Sequence, residues 1–287
     1  MSRTDVAFVG VGAIGLPMAI CLKASGLAVL GVDPGSGAAE RALAADLVVV
    51  PQLSQAADAR FVLVMVANRD QLAQVVDEAV TMSLVGQCWV VMSTVGPDAL
   101  RAQAPRLVEA GAIVVDMPVT GGVARARTGS LTLFAAGDLG AINAARPVLD
   151  LLGTVHVVGD SLGHGQSIKL VNQLLCSVHL VAAAEALAFA EALGLEAGQV
   201  LGLVEEGAAS SWMLSDRGPR MLRDTDVAVT STVSLFLKDS SLVEAAALET
   251  DLDASLLSAA RARFVQAFAA GLGDRDDSRV IETYVRG

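Results

Sequence analysis

The chain has 287 residues, 53% of them hydrophobic, which predicts about two folded domains and excludes a disordered chain. The net charge of −11 argues against nucleic acid and anionic membrane surfaces as partners. Three cysteines and three histidines lie far apart without metal-ligand spacing, so we predict no metal site and a cytoplasmic protein.

A glycine-rich turn follows the first predicted strand, residues 6–9. Gly10, Gly12 and Gly15 have the spacing GxGxxG and lead into a helical pattern, and a second predicted strand ends in Asp33. The first glycine permits a tight turn, the second lets the backbone approach a pyrophosphate, and the third lets the helix pack on the strand. An acid at this distance accepts hydrogen bonds from a ribose diol. The motif in this context predicts a dinucleotide site.

The surroundings of Asp33 favour NAD over NADP. Its carboxylate would repel a 2′-phosphate, and no lysine or arginine follows until Arg41. We therefore expect NAD as the cofactor, with NADP the less favoured alternative.

Strand and helix patterns then alternate. Strands are predicted over residues 47–50, 61–66, 88–92, 113–117, 130–136 and 155–158, with helices over 54–59, 70–80 and 139–152 and another beginning near Pro97. Such repeats predict a parallel, doubly wound α/β sheet of the Rossmann type, with ligands at the carboxyl ends of its strands.

The segment around Thr120 interrupts this alternation. Thr120, Gly121 and Gly122 follow the end of a predicted strand. A hydroxyl group and backbone N–H groups without neighbouring side chains can bind a carboxylate. Beside a dinucleotide site, we interpret the segment as a substrate loop.

After Gly163 the pattern becomes helical, and residues 168–193 predict one long helix that is apolar nearly all round. Lys169, Asn172 and Gln173 are spaced i, i+3 and i+4, so they share one face of that helix. A lysine against an apolar wall loses its proton more readily, which suits acid/base catalysis. The alternative is an ordinary lysine in the first turn with a solvated ammonium group.

The second half of the chain is predicted to be all α-helical. Helical patterns recur over residues 198–206, 211–223, 232–249 and 254–271. We predict a Rossmann domain over residues 1–162 and a helical domain over 163–287, joined by the long helix. A helix that is apolar on every side must be covered, which predicts a homodimer or homotetramer formed through the helical domain. Lys238 and Asp239 fall in the pattern over 232–249, and the simplest interpretation of the pair is two exposed charges on that helix.

Four blocks of sequence carry a family resemblance. They are residues 10–19 (GVGAIGLPMA), 116–122 (DMPVTGG), 163–173 (GHGQSIKLVNQ) and the pair Lys238 and Asp239. Together they resemble the β-hydroxyacid dehydrogenase family, which includes 3-hydroxyisobutyrate dehydrogenases, tartronate semialdehyde reductases and 6-phosphogluconate dehydrogenases.

The resemblance implies a role for each matched residue. Lys169 would be the general acid/base. Thr120, Gly121 and Gly122 would bind the substrate carboxylate, and Asn172 and Gln173 its hydroxyl end. The residues implied to hold the cofactor are Gly10, Gly12, Ala13, Ile14, Gly15, Asp33, Val66, Asn68, Thr94 and Lys238.

Within the family, the second half is most similar to the L-threonate dehydrogenases. This narrower similarity lies in residues 169–175 (KLVNQLL), His179, 184–186 (AEA), 211–213 (SWM), Arg217, 219–221 (PRM) and 276–278 (DDS). It implies NAD-dependent oxidation of L-threonate to 2-oxotetronate. The alternatives are 3-hydroxyisobutyrate dehydrogenase or tartronate semialdehyde (2-hydroxy-3-oxopropionate) reductase activity, and a non-catalytic NAD-binding module.

Overall fold

A computed structural model describes residues 4–223 and 227–284. By its internal contacts the chain divides into two compact units, residues 1–169 and 170–287. The division falls inside a continuous helix, His164–Ala192. The domain boundary between residues 162 and 163 stays a prediction.

The first unit contains a mixed β-sheet flanked by helices. Its strands are β1 (Val6–Val9), β2 (Val29–Val32), β3 (Val49–Val50), β4 (Phe61–Val64), β5 (Cys88–Val91), β6 (Ile113–Asp116), β7 (Val119–Thr120), β8 (Leu131–Ala136) and β9 (Gly153–Gly159). Its helices are α1 (Gly15–Ala24), α2 (Ser36–Ala44), α3 (Arg69–Ala79), α4 (Pro97–Glu109), α5 (Gly122–Arg127) and α6 (Leu139–Leu149), with a short 3-10 helix over Leu53–Ala56.

The sheet follows the order β3-β2-β1-β4-β5-β6-β8-β7, and β9 also pairs with β8. The strands from β3 to β6 are parallel, which confirms the predicted Rossmann-type fold. The expectation of parallel strands is wrong for β8, which runs antiparallel to β6 and β7. The connection from β7 to β8 spans residues 121–130, which is shorter than the roughly twelve residues that a parallel crossover needs.

Alternate side chains of the central strands pack on opposite faces of the sheet. Val6 and Phe8 of β1 pack in one core cluster with Met18 of α1. Ala7 and Val9 of the same strand pack in the other cluster, with α3 and α4. Burial on both faces explains why these strands are continuous runs of apolar residues.

The second unit is helical, as predicted. The helices that follow the sheet are α7 (His164–Ala192), α8 (Ala197–Glu205), α9 (Trp212–Met221), α10 (Val233–Glu249) and α11 (Ser255–Ala267), then a π-helical turn over Phe268–Leu272 and a 3-10 helix over Asp277–Thr283. The pattern predicted over 254–271 divides at this turn, where Gly271 has a φ of 82°.

Helix α7 is the core helix of the second unit. Leu180, Ala184 and Leu187 are buried in a cluster with Phe264 and Val280. Within the described residues, α7 is the one helix whose length and apolar composition would allow it to cross a membrane. Burial of this face in a helical core accounts for part of that composition.

Candidate active site

The glycine turn after β1 is built for close approach of backbone to backbone. Gly10 has a φ of 87°, and an added Cβ there would lie 2.4 Å from the carbonyl oxygen of Met65. At Gly15 the added Cβ would lie 2.0 Å from the carbonyl oxygen of Gly10. At Gly12 it would meet nothing within 4 Å. The outer two glycines are therefore required by the turn, whereas Gly12 leaves space for a ligand.

The first turn of α1 offers a place for phosphate groups. Ala13 and Ile14 lead into the helix, and no side chain caps its N-terminus at Ile14. Helix N-termini present N–H groups and a partial positive charge to anions.

Asp33 lies against this turn, at the end of β2. One carboxylate oxygen accepts from the backbone N–H of Val11 at 3.0 Å, and the other accepts from that of Gly35 at 2.9 Å. Each oxygen keeps a second lone pair for a ribose hydroxyl. The open space at Gly12, the N-terminus of α1 and this carboxylate together fit a dinucleotide.

The end of β4 is connected to the end of β5. The backbone N–H of Val66 donates to Ser93 Oγ at 2.7 Å, and Thr94 comes next along the chain. Asn68 Oδ1 accepts from the N–H of Gln71 at 2.9 Å and so caps α3. Capping accounts for the amide oxygen of Asn68, and its role toward a cofactor stays a prediction.

The predicted substrate loop ends β7 and begins α5, a short helix that the sequence patterns missed. Thr120 is half-buried and pairs with Thr132 of β8. Gly121 and Gly122 have φ values of 131° and 69°, which favour glycine. An added Cβ at Gly122 would meet nothing within 4 Å. The loop therefore exposes backbone where the sequence predicts a carboxylate.

Lys169 lies in the second turn of α7 with 7% of its surface exposed. The alternative of a solvated lysine in a first turn is therefore wrong. Gly165, one turn earlier, sits so close to the sheet that an added Cβ would lie 2.5 Å from the carbonyl oxygen of Phe134.

The sequence interpretation assigned no role to two buried side chains, Asp116 at the end of β6 and Gln166 at the start of α7. The Asp116 carboxylate accepts from the N–H of Gly163 at 2.9 Å and from the N–H of Gln166 at 3.1 Å. Burial raises the pKa of Asp116, although the hydrogen bonds from Gln166 and Gly163 oppose that rise. The available signal was an acidic residue at the end of an apolar strand, which needs a partner when buried.

The second unit holds the other predicted residues in one hydrogen-bonded chain. Asn172 Nδ2 donates to Gln173 Oε1 at 2.9 Å, and Gln173 Nε2 donates to Asp239 Oδ2 at 2.5 Å. The other carboxylate oxygen of Asp239 lies 2.8 Å from Lys238 Nζ. The interpretation of Lys238 and Asp239 as exposed charges is wrong, because Asp239 is only 4% exposed.

The blocks around Arg217 and Asp276 form one ionic cluster. Arg217 binds Asp277 through two hydrogen bonds of 2.8 and 2.9 Å, and Arg220 Nη1 lies 2.9 Å from Asp276 Oδ2. Asp216 accepts from both arginines. Burial disfavours the charged guanidinium, but the carboxylates outweigh it and raise the pKa of Arg217. This cluster ties α9 to the final 3-10 helix and accounts for the matched blocks structurally.

In the described ranges 4–223 and 227–284, no group of three or more histidine, cysteine or acidic side chains is arranged to hold a metal ion. The expectation of a metal-free site stays a prediction.

Comparisons with known proteins cover nearly the whole chain. Residues 5–159 match the NAD binding domain of 6-phosphogluconate dehydrogenase, and residues 163–284 match the family described as NAD-binding of NADP-dependent 3-hydroxyisobutyrate dehydrogenase. The L-threonate dehydrogenase of Haemophilus influenzae is 32% identical over 98% of this chain and 95% of its own length. The 2-hydroxy-3-oxopropionate reductase of Escherichia coli is 32% identical over 76% of each chain.

A solved structure has the same fold over nearly its full length. The crystal structure of 3-hydroxyisobutyrate dehydrogenase from Salmonella typhimurium has a TM-score of 0.89 and 31% identity, covering 97% of this chain and 99% of that one. With a dinucleotide-binding turn, a helical second unit and relatives of this similarity, the chain belongs to the 3-hydroxyisobutyrate dehydrogenase-like β-hydroxyacid dehydrogenases, oxidoreductases that act on CH–OH groups with NAD(P).

Proposed function

We propose that this chain oxidises L-threonate at C2, with NAD, to 2-oxotetronate. The observation that carries the reaction is a buried lysine, Lys169, at i, i+3 and i+4 spacing from Asn172 and Gln173 on α7. The choice of substrate is supported by full-length similarity to L-threonate dehydrogenases, of which that of Haemophilus influenzae is 32% identical.

In this proposal Lys169 is the general acid/base. Its neutral amine takes the proton from the C2 hydroxyl group while the C2–H bond breaks, and the resulting ammonium returns that proton in the reverse direction. The nicotinamide, when bound, supplies the hydride acceptor. The carbonyl group of the product forms as the O–H and C–H bonds of C2 are lost.

The remaining predicted residues orient the acid. Thr120 Oγ1 and the N–H groups of Gly121 and Gly122 bind the carboxylate, and the positive φ of both glycines supports this use of backbone donors. Asn172 and Gln173 bind the hydroxyl end. The residues proposed for the cofactor are Gly10, Gly12, Ala13, Ile14, Gly15, Asp33, Val66, Asn68, Thr94 and Lys238.

We propose NAD as the preferred cofactor because the Asp33 carboxylate faces the glycine turn, where it would repel a 2′-phosphate. Arg41 has the opposite influence, because its positive charge would attract a 2′-phosphate. Its Nη1 would be 3.4 Å from a Cβ added at Gly37, in the first turn of α2, the helix that follows Asp33. A parallel assay with NAD and NADP decides between these two influences.

We also propose a cytoplasmic homodimer or homotetramer, with domains over residues 1–162 and 163–287. Three free cysteines support the cytoplasm. Val171, Leu175 and Phe189 on α7 are 62%, 47% and 63% exposed, and a groove of about 570 Å³ between α7 and α11 continues along this apolar face. In sedimentation velocity, F189E should dissociate the wild-type oligomer, and an unchanged oligomer would place the interface elsewhere.

The test is NADH formation at 340 nm with L-threonate, D-erythronate, D-glycerate, 3-hydroxyisobutyrate and L-serine, for the wild type and K169A. Turnover of L-threonate with NAD that is lost in K169A supports the proposal. A preference for 3-hydroxyisobutyrate or tartronate semialdehyde would replace the substrate but keep Lys169. No turnover of any acid together with tight NAD binding would favour a binding module.

A further inference from the structure

Gln166 lies in the first turn of α7, three residues before Lys169, and is completely buried. Its side-chain amide makes four hydrogen bonds. Nε2 donates to the carbonyl oxygen of Ser93 at 3.0 Å and to Asp116 Oδ1 at 3.1 Å. Oε1 accepts from the N–H groups of Val95 and Gly96 at 3.0 and 3.1 Å. An amide has two donor hydrogens and two acceptor lone pairs, so its capacity is fully used.

These four bonds converge from the parts of the first unit that carry predicted site residues. Ser93 and Val95 are the neighbours of Thr94, so the Gln166 amide hydrogen-bonds to the backbone on both sides of that residue. Asp116 ends β6, four residues before Thr120 in the substrate loop.

Two further contacts fix the start of α7 against the sheet. An added Cβ at Gly165 would lie 2.9 Å from Asp116 Oδ2, so the helix already rests at its closest approach. The same carboxylate oxygen accepts from the N–H groups of Gly163 and Gln166. The close approach limits movement toward the sheet, and the amide, bonded on opposite sides, limits rotation of the helix about its axis.

We propose that Gln166, together with Asp116, is a positioning residue that sets where Lys169 stands relative to Thr94 and the Thr120 loop. The proposal rests on the proposed role of Lys169 as acid/base. Gln166 acts through the helix and touches no reacting atom. Because a displacement of about 1 Å can cost a hundredfold in rate, loss of this amide should lower kcat far more than it lowers cofactor affinity.

The first experiment compares Q166L with Q87L in the intact enzyme. Gln87 is a matched control because it is 7% exposed and lies at the amino end of β5, whereas Ser93 and Val95 follow the carboxyl end of that strand. Its Nε2 donates to the carbonyl oxygen of Ala57, and its Oε1 accepts from Trp89 Nε1. We expect kcat to fall about a hundredfold in Q166L with KM for NAD within about threefold of wild type. In Q87L, kcat should stay within about twofold. Equal kcat losses in the two variants, or an unchanged kcat in Q166L, would overturn the proposal.

A double-mutant cycle guards against a folding defect. Q166E alone places a carboxylate against Asp116, and D116N alone places an amide NH₂ near the amide NH₂ of Gln166. The double variant D116N/Q166E restores a hydrogen bond between the two positions with donor and acceptor exchanged. The Ser93 carbonyl oxygen keeps no donor in either Q166E or the double variant, so Q166E is the reference for the cycle. A kcat of D116N/Q166E at least tenfold above that of Q166E supports positioning, whereas a kcat at or below that of Q166E contradicts it.

A labelling measurement separates this proposal from the proposed function. The chain has three lysines, and Lys23 on the exposed part of α1 is an internal reference for carbamylation by cyanate. Peptide mass spectrometry should show a changed ratio of Lys169 to Lys23 labelling in Q166L and an unchanged ratio in Q87L. A changed ratio in a protein that turns over no hydroxy acid would retain the positioning and reject the function. An unchanged ratio would reject the positioning.

Discussion

Lys169 in the first unit and Lys238 in the second are held by different kinds of contact. The turn that precedes Lys169 is fixed by an amide whose partners are mostly backbone groups, together with the carboxylate of Asp116. Lys238 is paired with a carboxylate that also orients Gln173. The comparison teaches that the proposed proton-transfer residue follows a turn held mainly by backbone groups, whereas the lysine proposed to hold the cofactor lies beside a buried carboxylate.

The strongest way to sharpen this comparison is to replace Lys169 by a long side chain that donates hydrogen bonds but cannot act as a base. K169R retains a cation, but a guanidinium does not lose its proton in proteins. General acid/base catalysis contributes about 10²–10⁴ in rate, so kcat should fall by about that factor while KM for NAD changes little. Steady-state kinetics of wild type and K169R check it, and a kcat near that of wild type would rule out Lys169 as the base.

The second prediction concerns the ion pair between Lys238 and Asp239. In D239N the amide still accepts from Gln173, but the negative charge 2.8 Å from Lys238 Nζ is removed. We expect the displaced Lys238 to give up its proposed contact with the cofactor. Because hydrogen bonds to charged groups contribute about 1.5–3 kcal/mol, KM for NAD should rise roughly tenfold to a hundredfold. Isothermal titration with NAD measures the affinity directly. The exposed Asp253 of the same unit supplies a control, D253N, and equal effects in both variants would refute the assignment.

The third prediction tests the glycine turn after β1, where we propose that the cofactor pyrophosphate binds. G12A places a methyl group in open space, so the free energy of unfolding should stay near that of wild type. The methyl group would crowd a bound pyrophosphate at a cost of about 1–3 kcal/mol, or about a tenfold to hundredfold loss of NAD affinity. G10A should instead destabilise the fold, because its Cβ would meet the carbonyl oxygen of Met65. Urea unfolding combined with NAD titration distinguishes the two; normal NAD binding by G12A would contradict the placement.

The smallest expected effect concerns the ionic cluster of the second unit at low pH. Burial alone would raise the pKa of Asp276, but hydrogen bonds from Thr230 and Ser278 and the charge of Arg220 outweigh it and lower the pKa below 3.8. A lowered pKa contributes stability that is complete above the unfolded-state value and is lost as pH falls through the folded-state value.

The wild type should therefore exceed D276N by about 1–3 kcal/mol in free energy of unfolding at neutral pH. The difference should shrink once the pH falls below 3.8, where the carboxylate takes up a proton. Urea unfolding at a series of pH values measures it. If the difference in free energy of unfolding between wild type and D276N does not change with pH, the stabilisation comes from packing and not from the charge of Asp276.

Local pattern was enough for most of the fold. Runs such as 61–64 and 88–91 are buried on both faces, so continuous apolar sequence predicted them as central strands. The pattern failed where length decided the outcome. Helix α5 is six residues long and begins with glycine, so it has too few turns for a periodic signal.

The glycines of the first turn and the helix face of the proposed catalytic site were predictable from local sequence, whereas the catalytic role of that face stays a prediction. Gly10 and Gly15 follow from the geometry of a strand–helix turn, and Lys169, Asn172 and Gln173 from helical spacing. These properties depend on neighbours a few positions away, which a sequence displays directly.

Only the tertiary structure decided the partners of Gln166, Asp116 and Asp239. Gln166 bonds residues about seventy positions earlier, and Asp239 bonds a residue 66 positions earlier. Glutamine and aspartate are common on solvated surfaces, so their types alone do not reveal burial. A buried polar group must find its partner in three dimensions, because leaving it unpaired costs more than the hydrogen bond itself contributes.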